Sequence, residues 1–259
     1  MAGMTAPNAI HKLNRVEIIY GIHAVTEALR SRPQSISHIA IARGRSDAKL
    51  QKIIEAARSA GVALRFEPRQ ALDRLSSGGT HQGVIASISA KAYGDVSDII
   101  SQRRGKFAFV LVLDGIEDPH NLGAIIRTAD AAGADGIIIP ERRATGVTGI
   151  VAKASAGAVE HLPIARVTNI SRALEELKSK NIWTVGLDER GSQPYDQLDY
   201  KMDCALVLGA EGKGLHEHVR KHCDFVVSIP MLGKVPSLNV SVAAAVVMYE
   251  LVRQRRTTS

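Results

Sequence analysis

Cysteine, aromatic side chains and long apolar runs are all scarce in this 259-residue chain, and each shortage excludes a class of protein. Cys204 and Cys223 are the only cysteines. They lack CxxC spacing and a neighbouring His/Cys cluster, so they supply neither a disulfide framework nor a metal site. A reducing cytoplasmic setting, no bound metal and two small core thiols are the expectation. Aromatics make up only 4% of the chain, so any core must rest on Ile, Val, Leu and Ala. No run approaches the ~20 apolar residues of a membrane helix. The first ten residues lack the basic and apolar segments of a secretory signal, and 1–14 read as a disordered leader.

Charge is present but unevenly spread. The formal net charge is +7, and residues 1–92 hold 13 Lys/Arg against 6 Asp/Glu, whereas 93–259 hold 20 of each. The whole excess lies in the first third, which suits a domain set against a polyanion such as RNA. A basic surface that merely aids solubility would look the same on charge alone. Tyr20 and Phe66 are the only Phe, Tyr or Trp side chains there, so base stacking is not an obvious means of readout.

Periodicity divides the chain further. Residues 15–92 form a compact α/β unit: helices over 24–30, 47–60 and 70–75, with strands over 38–42, 62–66 and 83–88. Residues 93–106 are polar and glycine-containing and read as a linker with room for one helical turn or more. From 107 onward apolar strands (107–114, 136–140, 183–187, 204–209, 225–230) alternate with helices (122–132, 170–180 and about 237–254). That alternation predicts a parallel sheet covered on both faces, with ligands at the C-terminal ends of its strands.

Polar residues and glycines concentrate after three of these strands. The first loop runs Asp114-Gly115-Ile116-Glu117-Asp118-Pro119-His120-Asn121 into a helix carrying Arg127. Asn121 stands where a helix wants an N-cap, and Arg127 lies off the apolar face of Leu122, Ile125, Ile126 and Ala129. The second, Leu208-Gly209-Ala210-Glu211-Gly212-Lys213-Gly214, is neither a P-loop nor a dinucleotide fingerprint. Its glycines allow backbone to approach a ligand, and Glu211 could accept from a hydroxyl or a cation. In the third, Ile229-Pro230-Met231 precedes Ser237-Leu238-Asn239-Val240-Ser241. Ser237 reads as a fair N-cap, and Asn239 and Ser241 are odd choices in a helix of Val and Ala. Each loop alone is explained by capping and solvated charge.

Together, in this order, the segments 118–129, 208–215 and 229–243 resemble motifs one, two and three of the SpoU/TrmH family in the SPOUT superfamily. The likeness spans about 107–255. Tyr20-Gly21-Ile22-His23-Ala24-Val25 and Thr80-His81-Gln82-Gly83-Val84 resemble that family's substrate-binding domain, which has an L30e/L7Ae-like RNA-binding fold. The stretch 151–163 is similar to members that methylate a guanosine ribose of 23S rRNA.

The resemblance implies a C-terminal SPOUT domain (107–259) with a deep trefoil knot, a topology that general rules of chain threading argue against. It implies S-adenosylmethionine as cofactor, RNA as substrate, with 23S rRNA foremost, and a homodimer. Residues 240–252, small and apolar on most faces, agree with an interface there. Backbone of Gly209, Ile229 and Leu238 would contact the cofactor, with Leu208, Gly212 and Met231 nearby. Asn121, Arg127, Glu211, Ser237 and Asn239 would form the catalytic set. Arg127 suits a phosphate clamp that stabilises the developing alkoxide better than a general base, because a guanidinium stays protonated. Methylation of tRNA or of another rRNA site, methylation of a base nitrogen, and a non-catalytic RNA-binding role stay open at this stage.

Overall fold

The computed structural model describes residues 16–44, 47–210, 212 and 214–256. The leader over 1–14 lies outside them, as does Glu211.

Two sheets form. The first has four strands, β1 (Val16–Tyr20), β2 (Ile36–Ala42), β3 (Ala63–Glu67) and β4 (Val84–Ser89), in the order β1-β4-β2-β3. β4 pairs antiparallel with β1 and β2, while β2 and β3 run parallel. Helices α1 (Ile22–Ser31) and α2 (Ala48–Ser59) cover one face, burying Val25, Leu29, Ile53 and Ala57 with Ile39, Ile41 and Val84. On the other face the seven-residue α3 (Arg69–Leu75) buries Leu72 in a small cluster with Tyr20, Ala40 and Ile85.

The second sheet has seven strands: β5 (Phe109–Asp114), β6 (Gly136–Pro140), β7 (Ile164–Val167), β8 (Trp183–Leu187), β9 (Gln193–Pro194), β10 (Cys204–Gly209) and β11 (Phe225–Ser228). Their order is β7-β6-β5-β10-β8-β11-β9. All the pairings are parallel. β5 and β10 are buried at every position, which is why they read as unbroken apolar runs rather than alternations. The period of two decides what each side chain meets. Phe109, Leu111 and Leu113 share a core with α5 (Pro119–Ala131) and α9 (Val240–Arg256), whereas Val110 and Val112 join Ile99, Leu174 and Val219 on the opposite face. Those last three residues belong to α4 (Val96–Ser101), α7 (Ile170–Ser179) and α8 (Glu217–Lys221). The expected α/β class with a covered parallel sheet is borne out. Among the described residues, no helix is long and apolar enough to cross a membrane.

Two helix starts differ from the sequence reading, and both matter for the site. α5 begins at Pro119 with Asp118 as its cap, the Asp118 side chain accepting from the His120 amide at 2.9 Å. Proline pre-set at the first helical position and an acid before it make a better start than Asn121. Asn121 is freed from capping and is buried. α9 begins at Val240 rather than near Ser237. Asn239 takes the capping position, its Oδ1 accepting from the Ser241 amide at 2.9 Å and the Ser241 hydroxyl at 2.6 Å. Ser237 stays in exposed chain outside the helix.

Short or half-covered elements escaped the periodicity: β1, β7, β9, α8 and α6 (Gly149–Ala154). The stretch over 93–106 holds α4, started by an Asp95/Asp98 capping box and anchored by Ile99.

The two sheets meet along α6 and the turn after it. A Cβ on Gly149 would lie 1.9 Å from the Ile18 carbonyl oxygen, and one on Gly157 would lie 2.6 Å from the Glu27 Cβ. Only glycine permits these approaches. Arg32 donates from Nε and Nη2 to the buried Glu160 at 2.5 and 3.1 Å, and from Nη1 to the Ser89 carbonyl at 2.9 Å. Lys91 donates to the carbonyls of Val159 and Leu162, and burial pushes its pKa down to about 8.

Candidate functional site

Parallel strands deliver their C-terminal ends to one edge, so the three loops singled out in the sequence leave that edge together. Gly209 pairs with Asp114 across β10 and β5, and Leu208 pairs with Leu187 of β8. The order β5-β10-β8-β11 sets loops one and two side by side and puts the turn after β8 between loops two and three.

Loop one and loop three are joined directly. α5 packs against α9, and Asn239 Nδ2 donates to Asn121 Oδ1 at 3.0 Å. The two asparagines are 118 positions apart in sequence, and both helix-start shifts serve this contact. The amide that looked like a cap on α5 is turned inward, and the one that looked out of place in α9 caps it and bridges to α5. Arg127 lies on the exposed side of α5, and among the described residues its guanidinium has no hydrogen-bond or ion-pair partner. The structure therefore brings Asn121 and Asn239 together, leaves Arg127 and Ser237 facing solvent, and does not describe Glu211.

Loop two is closed by glycine at both ends. A Cβ on Gly209 would stand 2.1 Å from the Gly214 carbonyl carbon and 2.4 Å from the Leu215 nitrogen. Gly214 has φ +63°, and a Cβ there would lie 2.6 Å from Asp188 Oδ2. The Gly214 amide donates back to the Ala210 carbonyl at 3.0 Å, so the chain reverses within five residues. Gly212 sits exposed at the tip with φ +72°.

Two buried carboxylates that sequence reasoning passed over hold this loop in place. Asp188, just after β8, accepts from Arg190 Nε at 2.7 Å, Arg190 Nη2 at 2.8 Å, the Arg190 amide at 3.0 Å and the Leu215 amide at 3.0 Å. Burial opposes its charge, but these hydrogen bonds outweigh burial and hold its pKa below the ordinary aspartate value. Asp114, ending β5, accepts from both the backbone amide and the Nδ1 of His216, at 3.0 and 2.9 Å. Leu215 and His216 follow loop two, so carboxylates from strands on both sides of β10 grip its far end. The signal in sequence was an acid immediately after an apolar strand, in Leu113-Asp114 and Leu187-Asp188.

The remaining cofactor candidates divide by exposure. Leu208 is fully buried in β10 and Ile229 is half-buried against the core. Residues 231–239 carry no regular structure, and Met231, Leu238 and especially Leu232, at 100% exposure, are held out in water. At the far end of α9, Arg255 donates to the carbonyls of Phe107, Ala108, Tyr200 and Met202 at 2.7–3.2 Å. These bonds fix the helix whose first turn presents Asn239.

Residues 108–249 match the SpoU rRNA Methylase family, and residues 18–94 match the RNA 2′-O ribose methyltransferase substrate-binding family. YacO of Bacillus subtilis (strain 168), named for the TrmH family of tRNA/rRNA methyltransferases, is 45% identical over 92% of this chain and 96% of its own length. The 23S rRNA (guanosine-2′-O-)-methyltransferase RlmB of Haemophilus influenzae is 44% identical over 92% of this chain and 98% of its own. Among solved structures, the SpoU methyltransferase AviRb from Streptomyces viridochromogenes, in complex with AdoMet, has a TM-score of 0.77. It is 26% identical, with coverage of 93% of this chain and 91% of that one.

Proposed function

This chain belongs to the SpoU rRNA methylase family of RNA methyltransferases, and from that premise we propose that it moves a methyl group from S-adenosylmethionine to a ribose 2′-hydroxyl of RNA, the target being a guanosine of 23S rRNA. The carrying observation is the Asn239–Asn121 bridge, which ties loop three to the start of α5 beside the glycine-closed loop two. The 44% identity to the Haemophilus influenzae enzyme supports the guanosine and the 23S address, and the AdoMet-bound AviRb structure supports the cofactor.

The residues at the edge fit that cofactor. Loop three leaves its backbone outside any ladder and keeps Met231 and Leu238 exposed, a pairing of free main chain with apolar side chains that suits a flat purine. Leu208, Gly209, Gly212, Ile229, Met231 and Leu238 are the residues we assign to it. When bound, S-adenosylmethionine supplies an electrophilic methyl on a sulfonium.

With it bound, the chain's own residues would align the ribose oxygen for in-line attack, which contributes much of the rate. The O–C bond would form as the S–C bond breaks, the thioether would leave and the hydroxyl proton would pass to solvent. Asn121 and Asn239 orient the ribose, with Glu211 and Ser237 completing the set. Arg127, exposed and always charged, binds the phosphate beside the target ribose and favours the developing alkoxide. Its exposure suits a group that meets a polyanion arriving from solvent. The apolar side chains left outside on α9, Val242 and Tyr249, and on loop three, Leu232 and Val235, are those a second copy of the chain would cover. The homodimer, the family's knot and a cytoplasmic location are parts of the same proposal.

Ribose-methylation mapping of rRNA and tRNA from a strain lacking the gene tests it. One 23S guanosine should lose its 2′-O-methyl, wild-type protein should restore it, and Arg127→Ala should not. A methyl found on a base, or an unchanged map, overturns the reading.

A further inference from the structure

The face of the first sheet that carries α3 is only partly covered. α3 is seven residues long and packs over Tyr20, Ile85 and Ala40, so the next level along the strands, at His38 and Ser87, lies beyond that cluster. Around them lies a concavity of about 480 Å³, walled by His38, Arg65, Arg74 and Leu75. Burial and the Arg65 charge hold the His38 pKa below its ordinary value, so the cations here are the two exposed arginines. Glu67 is the one carboxylate among the described residues that line it.

A second concavity, of about 620 Å³, lies in the seam between the two sheets. Its walls include Tyr20, Thr80, Lys153, Ile150 and His120, and no carboxylate is among the described residues lining it. Lys153 bridges the seam, donating to the Thr80 carbonyl at 2.6 Å with its ammonium 5.2 Å from the Tyr20 ring centre. Leu75, 46% exposed, lines both concavities, so the two adjoin at its side chain. His120, which lines this concavity, is the immediate neighbour of Asn121 in sequence.

We infer that these two concavities form one track for an unpaired segment of the substrate RNA, entering at Arg65 and Arg74, crossing Leu75, passing Lys153 and ending at His120 beside the reacting ribose. This rests on the RNA ribose-methylation reading above. Cations along a path that is nearly free of carboxylates match a phosphate backbone. Concavities of this volume admit individual nucleotides, whereas a duplex is read across a broad shallow groove. The track also gives a use to the one part of the chain with a net charge.

The test uses the full-length protein and total RNA from a strain lacking the gene. In filter binding between 50 and 200 mM KCl, Arg65→Glu/Arg74→Glu should weaken RNA binding by roughly tenfold or more and flatten the log–log salt slope by about 1–2. Calorimetry should show S-adenosylmethionine affinity unchanged, which reports a folded second domain. Lys153→Glu should act in the same direction. With p-benzoylphenylalanine in place of Leu75, irradiation should cross-link unpaired nucleotides close to the methylated ribose, and the same replacement of Trp183, on the opposite edge of the second sheet, should not. Unchanged affinity and slope in the double variant, or cross-links confined to duplex RNA, overturn the track while leaving ribose methylation standing. Failure of the wild-type protein to bind or methylate any RNA overturns both.

Discussion

The two sheets answer the same problem, how to present polar groups from an apolar core, in opposite ways. The four-stranded sheet mixes directions and, on the face that carries α3, shows Arg65 of β3 and Arg74 of α3 to solvent. The seven-stranded sheet is parallel and covered on both faces, so polar groups that must reach a ligand gather at the strand ends. There it buries carboxylates, Asp114 and Asp188, and spends them on backbone amides of loop two. An open face suits contact with an extended polymer, while a closed sheet with pinned loops suits the exact placement of a few atoms.

That contrast can be broken at several points. The largest effect is expected from Arg127→Ala, which should lower single-turnover methyl transfer at saturating RNA by about 10³-fold, the scale for loss of a transition-state charge partner. RNA affinity should change far less, since the arginines of the first sheet remain. A rate within tenfold of wild type would remove Arg127 from the chemistry. Arg127→Lys keeps the charge but loses the planar fork, and should recover only part of the rate.

Next comes the seam. Arg32→Met leaves the carboxylate of Glu160 buried without its hydrogen-bonded cation, and should cost about 3 kcal/mol by denaturant unfolding, the low end for breaking a buried pair. A change under about 0.5 kcal/mol, the range of an ordinary surface substitution, would show that the seam is not held by this pair.

A smaller effect is expected within the second sheet. Asp188→Asn removes charge-assisted hydrogen bonds to Arg190 and the Leu215 amide, and should weaken S-adenosylmethionine binding by roughly tenfold, about 1.4 kcal/mol. Because the Asp188 pKa is depressed in the fold, the wild-type advantage in stability over this variant should be full above the ordinary aspartate range, about pH 4. It should fade as pH drops below that through the folded value. Equal cofactor affinity in the two proteins would free loop two from this latch.

The last is the titration of Lys91. Its pKa is lowered to about 8 in the fold, so between there and the unfolded value near 10.4 the unfolded chain binds the extra proton. Wild-type stability should therefore rise relative to Lys91→Met as pH increases from about 8 to 10. A flat difference across that range would mean that Lys91 keeps its proton.

Much of this was legible before any fold was known. The strands β5 and β10 read as strands because burial on both faces leaves them wholly apolar, and α7 because its apolar residues keep helical spacing. The family resemblance rested on loops whose residues are fixed locally: Gly209 and Gly214 by close approach and positive φ, Pro119 by its place at a helix start. β1 and α6 were not legible, since each is short and only partly buried. Asn121 and Asn239 were read as a cap and an oddity because nothing nearby in sequence shows that two helices 118 positions apart cross at those residues. Asp114, Asp188 and His216 were missed for the same reason, their partners lying across strands.

The sequence by itself determined the parallel sheet, the family and the three loops, because strand burial, glycine geometry and proline each act within a few residues. Tertiary structure alone decided which polar groups share a place. Strand order set loop two between Asp114 at the end of β5 and Asp188 just after β8, α5–α9 packing turned Asn121 toward Asn239, and the seam along α6 brought the basic sheet to His120. Each is a contact between distant segments, settled by how covered faces pack rather than by any local preference.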